Sequence, residues 1–231
     1  MGDEHASRTP AQLTNRLRVV AAGYERVWRG RSLTLLSGRN FPLREELDEL
    51  CACFAIGDST DNRRSIIVDL ACSEGLYGRR LADDGALIVA IDHSQAFLRR
   101  VLRRRQNRPM IAVRALAQHL PLRNGAVDGI AIGGSLNEIG DIDGAIREAS
   151  RIAREGARLF SMSLTDATTR SGRLVQRIAG SSGIVFPTCE STLEYFESNN
   201  FIVDVPVRKD RVVLRLAATK RSSSASQVGS A

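Results

Sequence analysis

A doubly wound, mostly parallel α/β sheet of seven strands, closed by an antiparallel hairpin and preceded by a helical cap, is predicted from three features of the sequence. Short β-branched runs alternate with segments of helical periodicity through the middle of the chain, the pattern of a parallel sheet covered on both faces. Two of these runs end in an aspartate, and the first leads into a string of small residues and a glycine, D-L-A-C-S-E-G at 69–75. The last two apolar runs are separated only by Lys209 and Asp210, a spacing that calls for an antiparallel turn.

The elements follow in order. Residues 1–10 and 220–231 are polar, small and aperiodic, so both are expected to be disordered tails. Leu13, Leu17, Val20, Tyr24 and Val27 recur at helical spacing, and a second helix is expected in F-P-L-R-E-E-L-D-E-L-C-A-C-F-A (41–55) with Pro42 at its start. Together these make the cap, residues 11–60, ahead of a single main domain at 61–219. Strands are expected in S-I-I-V-D-L (65–70), A-L-I-V-A-I-D (86–92), P-M-I-A-V-R-A (109–115) and A-V-D-G-I-A-I-G-G (126–134). I-D-G-A-I-R-E-A-S-R-I-A (142–153) reads as a helix, and G-A-R-L-F-S-M-S-L (156–164) as a fifth strand opened by a glycine at the helix end. The hairpin consists of F-I-V-D-V-P-V-R (201–208) and R-V-V-L-R-L-A-A (211–218). Residues 165–192 are too many for a simple link and carry a short helical pattern at Leu174, Val175 and Ile178, which suits part of a ligand pocket or its lid.

The 231 residues suit one domain with a sizeable core. No apolar stretch is long enough to span a bilayer, and the start of the chain has no apolar segment of a secretory signal. Cys51, Cys53, Cys72 and Cys189 form no C-x-x-C pair and have no histidine at zinc spacing. Reduced thiols in a cytoplasm and no metal are therefore expected. The net charge of +7 comes almost wholly from arginine, since Lys209 and Lys220 are the only lysines. It invites a nucleic-acid reading, but the densest run, R-R-V-L-R-R-R at 99–105, is interleaved with no aromatics for base stacking. Its arginines are expected to form the solvated face of an amphipathic helix.

In a doubly wound sheet, ligands sit outside the carboxyl ends of the strands, and the turn after the first strand is the usual contact. That turn is D-L-A-C-S-E-G. Ala71, Cys72 and Gly75 let a ligand approach the backbone closely, but Asp69 would place an anion beside a dinucleotide pyrophosphate, whereas it suits a cationic ligand. Asp92, ending the second strand, can accept both hydroxyls of a ribose. Either aspartate could instead cap the helix that follows it, but their place at successive strand ends, with Gly75 in the turn, favours the ligand role. A ligand carrying an ammonium, a sulfonium and a ribose meets all these demands, which points to S-adenosylmethionine.

The chain resembles the class I S-adenosylmethionine-dependent methyltransferases, of the small-molecule branch that includes the ubiquinone/menaquinone methyltransferases. The resemblance lies in I-I-V-D-L-A-C-S-E-G-L-Y-G-R-R-L-A, V-A-I-D-H-S-Q-A-F-L-R-R-V, the L-P-L of Leu120–Leu122 with Asp128 downstream, and A-I-R-E-A-S-R-I-A-R-E-G-A-R-L-F-S-M-S-L. It implies a Rossmann-like methyltransferase fold and methyl transfer to a small, partly apolar acceptor. It also implies cofactor contacts from Asp69, Ala71, Cys72, Gly75, Asp92, His93, Leu116, Ala117 and Gly133. Ala71 and Ser73 replace the first two glycines of the family's turn, and Leu116 stands where an adenine-binding aspartate is common. Asn137 and Glu138 occupy positions where relatives often have histidines. They are candidates to orient or deprotonate the acceptor, beside the reading of a plain helix start. Ser135 and Asn137, with Tyr24 and Trp28 from the cap, are candidates for the acceptor pocket. Two other functions stay open: an RNA methyltransferase or nucleic-acid-binding protein, and a non-catalytic S-adenosylmethionine-binding protein. The oligomeric state is not legible.

Overall fold

The computed structural model describes residues 43–56, 63–181, 183–205 and 207–222. The first cap helix, with Tyr24 and Trp28, and the chain beyond 222 lie outside them. The described elements are α1 (Leu43–Phe54), β1 (Ile66–Leu70), α2 (Leu76–Asp83), β2 (Leu87–Asp92), α3 (Gln95–Arg104) and β3 (Met110–Arg114). Then follow β4 (Val127–Gly133), a 3₁₀ turn (Leu136–Glu138), α4 (Ile142–Ile152), β5 (Ala153–Leu164), α5 (Arg170–Gly180), α6 (Cys189–Ser198), β6 (Phe201–Val203), β7 (Arg208–Asp210) and β8 (Val213–Lys220).

The strands lie in the order β3-β2-β1-β4-β5-β8-β6, with β7 also paired to β8. The first five are mutually parallel, and β8 runs antiparallel between β5 and β6. Alternation along each strand divides the core into two layers. Val68, Val89, Ile130 and Leu159 face α4 and Phe196 of α6, packing on Ile142, Ala145, Ile146 and Ala149. Their neighbours Ile67, Ile88, Ala131 and Phe160 face the other way, onto Leu50 of α1, Tyr77 and Leu81 of α2 and Leu98 of α3. The sheet is thus buried on both faces, as the near-continuous apolar runs require.

Three details differ from the sequence expectation. The edge expected as one strand of a hairpin is two short strands, β6 and β7, paired successively along β8, so the sheet has eight strands. The break falls in Asp204–Val207, where the Asp204 carboxylate turns to bind Arg158 at 2.6 Å. β5 begins directly after α4, and an irregularity lets Val127 pair with Ala153 while Gly129 pairs with Arg158. Gly156 adopts φ +74° in that extra length, a conformation glycine reaches without steric cost. Finally, α1 lies on the sheet face: Cys53 Sγ bonds Leu159 O, and a side chain at Gly129 would collide with the Phe54 ring at 2.5 Å.

The arginines of 99–105 do not form a purely solvated face. Arg100 and Arg104 both pair with Glu74, whose side chain is only 1 % exposed, and Arg105 donates to Met110 O. Asp128 sits at the amino end of β4, holding Arg63 and Arg154 at 2.7 Å each and accepting the Ile66 N–H. Removing a buried carboxylate from between two cations leaves the cations uncompensated, which costs more than an exposed pair. Glu74→Gln, which keeps the volume but not the charge, is expected to lower stability by about 2–3 kcal/mol in urea unfolding.

Candidate functional site

β1 has β2 on one side and β4 on the other, so the strand order reverses at β1 and a crevice opens at its carboxyl end. The turn leaving β1 is held by the neighbouring strand: Cys72 N–H donates to Ile91 O at 2.9 Å, and Gly75 N–H closes back on Cys72 O at 2.7 Å. Within it, Ala71, Ser73 and Gly75 all take left-handed backbone, with φ of 51°, 49° and 75°. The alternating left-handed geometry is therefore kept where alanine and serine replace glycine, at about 1–2 kcal/mol for each non-glycine residue.

Two carboxylates stabilise this turn. Asp69, 2 % exposed, accepts the Gly78 N–H of the first turn of α2 at 2.8 Å. Asp92, 5 % exposed, accepts the Ser73 N–H with one oxygen at 2.9 Å and the Ser94 N–H with the other at 2.8 Å. His93 Nδ1 lies 3.5 Å from the same carboxylate. Burial pushes the Asp92 pKa up, against the opposing pull of His93 and of the backbone N–H groups. A carboxyl whose folded pKa is raised contributes most to stability when protonated, and that contribution is lost as pH rises from 3.8 through the raised value. Both oxygens of Asp92 accept backbone N–H groups, and a hydroxyl donor would stabilise its charged form further.

Beside Asp92 lies an open cleft lined by Leu70, Ala71, Ile91, Asp92, His93, Ala115, Leu116, Ala117, Gln118 and Ile139. Its far wall is the connection after β3, held in place from α4. Glu148 accepts the Leu120 N–H, while Arg151 donates to Leu120 O, Leu122 O and Asn124 Oδ1. One buried carboxylate thus stands in a slot that is otherwise mostly apolar, a chemistry that suits a nucleoside: hydroxyls to the acid, base to the apolar walls.

Comparison with known proteins places this framework. Residues 68–161 match the family described as "Methyltransferase domain". Over 141 residues the chain is 30% identical to the demethylmenaquinone methyltransferase of Corynebacterium urealyticum, covering 61% of this chain and 50% of that protein. Among solved structures, the geranyl diphosphate C-methyltransferase of Streptomyces coelicolor, in complex with S-adenosyl-L-homocysteine, superposes with a TM-score of 0.63. It is 14% identical over 78% of this chain and 79% of that one. The [4+2]-cyclase SpnF superposes equally well, with a TM-score of 0.63 and 17% identity over 77% and 80%. The chain thus shares the fold of these solved structures, and its residues 68–161 are similar to the methyltransferase-domain family. Its matched stretch spans half or less of the curated relatives' length.

In this chain the cleft brings together Ala71, Asp92, His93, Leu116 and Ala117 of the residues expected to hold the cofactor. Asp69, Cys72, Gly75 and Gly133 do not line it. Asp69 caps α2, Cys72 is buried with its thiol pushed up in pKa by that burial, and Gly75 shapes the turn. Gly133 is glycine because Tyr77 packs there: an added Cβ would lie 2.9 Å from the ring. Tyr77 in turn donates its hydroxyl to the buried Glu46 of α1. Ser135 donates to Ala71 O at 2.7 Å, tying the end of β4 to the turn. Asn137 is 3 % exposed and fully engaged, donating to Leu164 O at 2.6 Å and Val185 O at 2.7 Å while accepting the Leu164 N–H at 2.8 Å. Both of its N–H donors are spent, so Asn137 acts as a clamp between β4, β5 and the 165–188 connection. Glu138 follows it in the 3₁₀ turn, half-buried.

Sequence reasoning missed Gln118 and Ile139 as cleft residues. Both sit in connections without periodicity, and only the proximity of Gln118 to Leu116 and Ala117 hints at it. Three substitutions test these roles by their effect on stability. Ser73→Gly is expected to be neutral or to stabilise by up to about 1 kcal/mol, whereas Gly75→Ala, left-handed and 3.1 Å from Val101, should cost about 1–3 kcal/mol. Asn137→Ala, which strands two buried carbonyls, should cost about 2–3 kcal/mol. Urea unfolding of the three variants measures all of these.

Proposed function

We propose that this chain transfers the methyl group of S-adenosylmethionine to a small, partly apolar acceptor. The observation that carries the reading is the cleft at the sheet's reversal point, with the buried Asp92 carboxylate on one side and Leu116, Ala117 and Ile139 on the other. The residues present fit the cofactor. Asp92 would accept the ribose hydroxyls, the apolar walls would hold the adenine, and the small residues of the turn from Ala71 to Gly75 would face its amino-acid end. When bound, the cofactor supplies an electrophilic methyl group on a sulfonium. The protein's part is to align the acceptor with that methyl and keep water out, and proximity alone is worth about 7–11 kcal/mol. The clamped Asn137 is therefore not needed as a base.

The acceptor's character is supported by the relatives, which are demethylmenaquinone methyltransferases by name. The acceptor pocket is assigned to the carboxyl edge beside Ser135, with the 165–192 connection and Tyr24 and Trp28 of the N-terminal segment enclosing it. Four free cysteines suit a reducing cytoplasm, and the domain limits 11–60 and 61–219 with short tails are kept as part of this reading. The fold does not by itself fix the reaction, since a cyclase shares it.

Incubation with labelled S-adenosylmethionine and an acceptor set of hydroxylated aromatics and quinols should give labelled, solvent-extractable product; labelling of structured RNA alone would overturn the acceptor class. For the donor site, Asp92→Ala should weaken S-adenosylhomocysteine binding by about 1.5–3 kcal/mol in calorimetry, with the fold retained by circular dichroism. Unchanged affinity in the folded variant would leave Asp92 as a turn-holding residue only.

A further inference from the structure

Helix α5 is built inside out. Of its 11 residues only Gly172 and Gln176 are buried. Gln176 anchors the helix by polar contacts, accepting the Ala167 N–H at 2.8 Å and donating to Thr165 O at 2.9 Å. Gly172 lets it sit close, since a Cβ there would lie 2.7 Å from the Ala167 side chain. The apolar residues that predicted the helix point outward: Leu174, Val175 and Ile178 are 59 %, 41 % and 67 % exposed. Val175 and Ile178 are three apart and Leu174 and Ile178 four apart, so they form one stripe. Arg170, Arg173 and Arg177, all exposed, are spaced by three and four and form a second stripe alongside it. The helix contains no acidic residue.

We propose that this face of α5 docks on an anionic lipid surface. Such a helix lies flat in the interface, with its apolar stripe below the headgroups and its arginines among them. Charge decides the occupant: a second basic copy of this chain, at +7 net, would be repelled. The 1–42 segment is itself arginine-rich, with seven arginines against Asp3, Glu4 and Glu25. A convex helix carrying long arginine side chains also offers no groove for a peptide, whereas a fluid anionic surface needs none. No helix among the described residues is long and apolar enough to cross a membrane, so the contact is peripheral. α5 is anchored to the residues that continue β5 past its carboxyl end, and the following segment is tied to Asn137. Docking there turns the carboxyl edge of the sheet toward the lipid. The lipid contact does not depend on the methyl-transfer reading and is tested without cofactor.

The full chain is floated with phosphatidylcholine vesicles containing or lacking phosphatidylglycerol. Binding to the anionic vesicles alone is expected, falling as salt is raised. Leu174→Ser with Ile178→Ser should lower partitioning at least tenfold with an unchanged melting temperature. Arg173→Gln should lower it about fivefold, as expected for roughly 1 kcal/mol per basic residue near the surface. No partitioning, or partitioning indifferent to these variants, overturns the proposal. A melting temperature lowered by the serine variant would mean that another part of the chain covers the stripe. Loss of a dimer in that variant would mean that a second copy does.

Discussion

The carboxylate of Asp92 accepts backbone N–H groups from two different connections, Ser73 after β1 and Ser94 after β2, and the carboxyl edge of the sheet is organised around it. Parallel strands put their connections in register only as far as the last ladder bond; beyond that, the backbone needs other partners. Asp92 supplies them for the turn that has taken up left-handed backbone at two non-glycine residues. Asp69 does the same for the start of α2, and Ser135 joins β4 to the same turn. The cost is a buried carboxyl group whose pKa is raised by burial. Such a group is poised to gain from a ligand hydroxyl, so the support of the turn and the capacity to bind are one arrangement.

The distribution of arginine shows the same economy. Rather than forming an external basic stripe, Arg100 and Arg104 converge on Glu74 of the turn's own sequence. Arg63 and Arg154 converge on Asp128 at the opposite end of the sheet. Arg151 orders the wall of the cleft through three oxygens of the 120–124 connection. The arginines of α5 are different, standing beside exposed aliphatic side chains on a helix whose inner face is polar.

The sheet was legible because its strands are buried on both faces and therefore read as apolar runs. Leu87–Asp92 and Val127–Gly133 lie inside the stretches that the sequence marks out. Asp92 was legible as a cleft residue because it ends a strand beside the reversal point of such a sheet, whereas Leu116 and Ala117 were expected there only from the family resemblance. The division of the 201–210 edge into two strands was not, because an interruption of four residues leaves the apolar pattern intact while Arg158 draws Asp204 out of line. Nor was the orientation of α5: periodicity shows that Leu174, Val175 and Ile178 share a face, but not which way that face points.

By itself the sequence determined the order of elements, the alternation that makes the sheet two-sided, and the two acidic strand ends, since these depend on local period and on residues close in the chain. Only the tertiary structure decided what each polar side chain is for. Asn137, offered by its position as a reactive group, is consumed by carbonyls 27 and 48 residues away, and Gly133 owes its missing side chain to Tyr77, 56 positions earlier. Hydrogen bonds and close contacts of that kind are made between residues whose separation in sequence carries no signal, so they are settled only when the packed layers bring the groups within about 3 Å of one another.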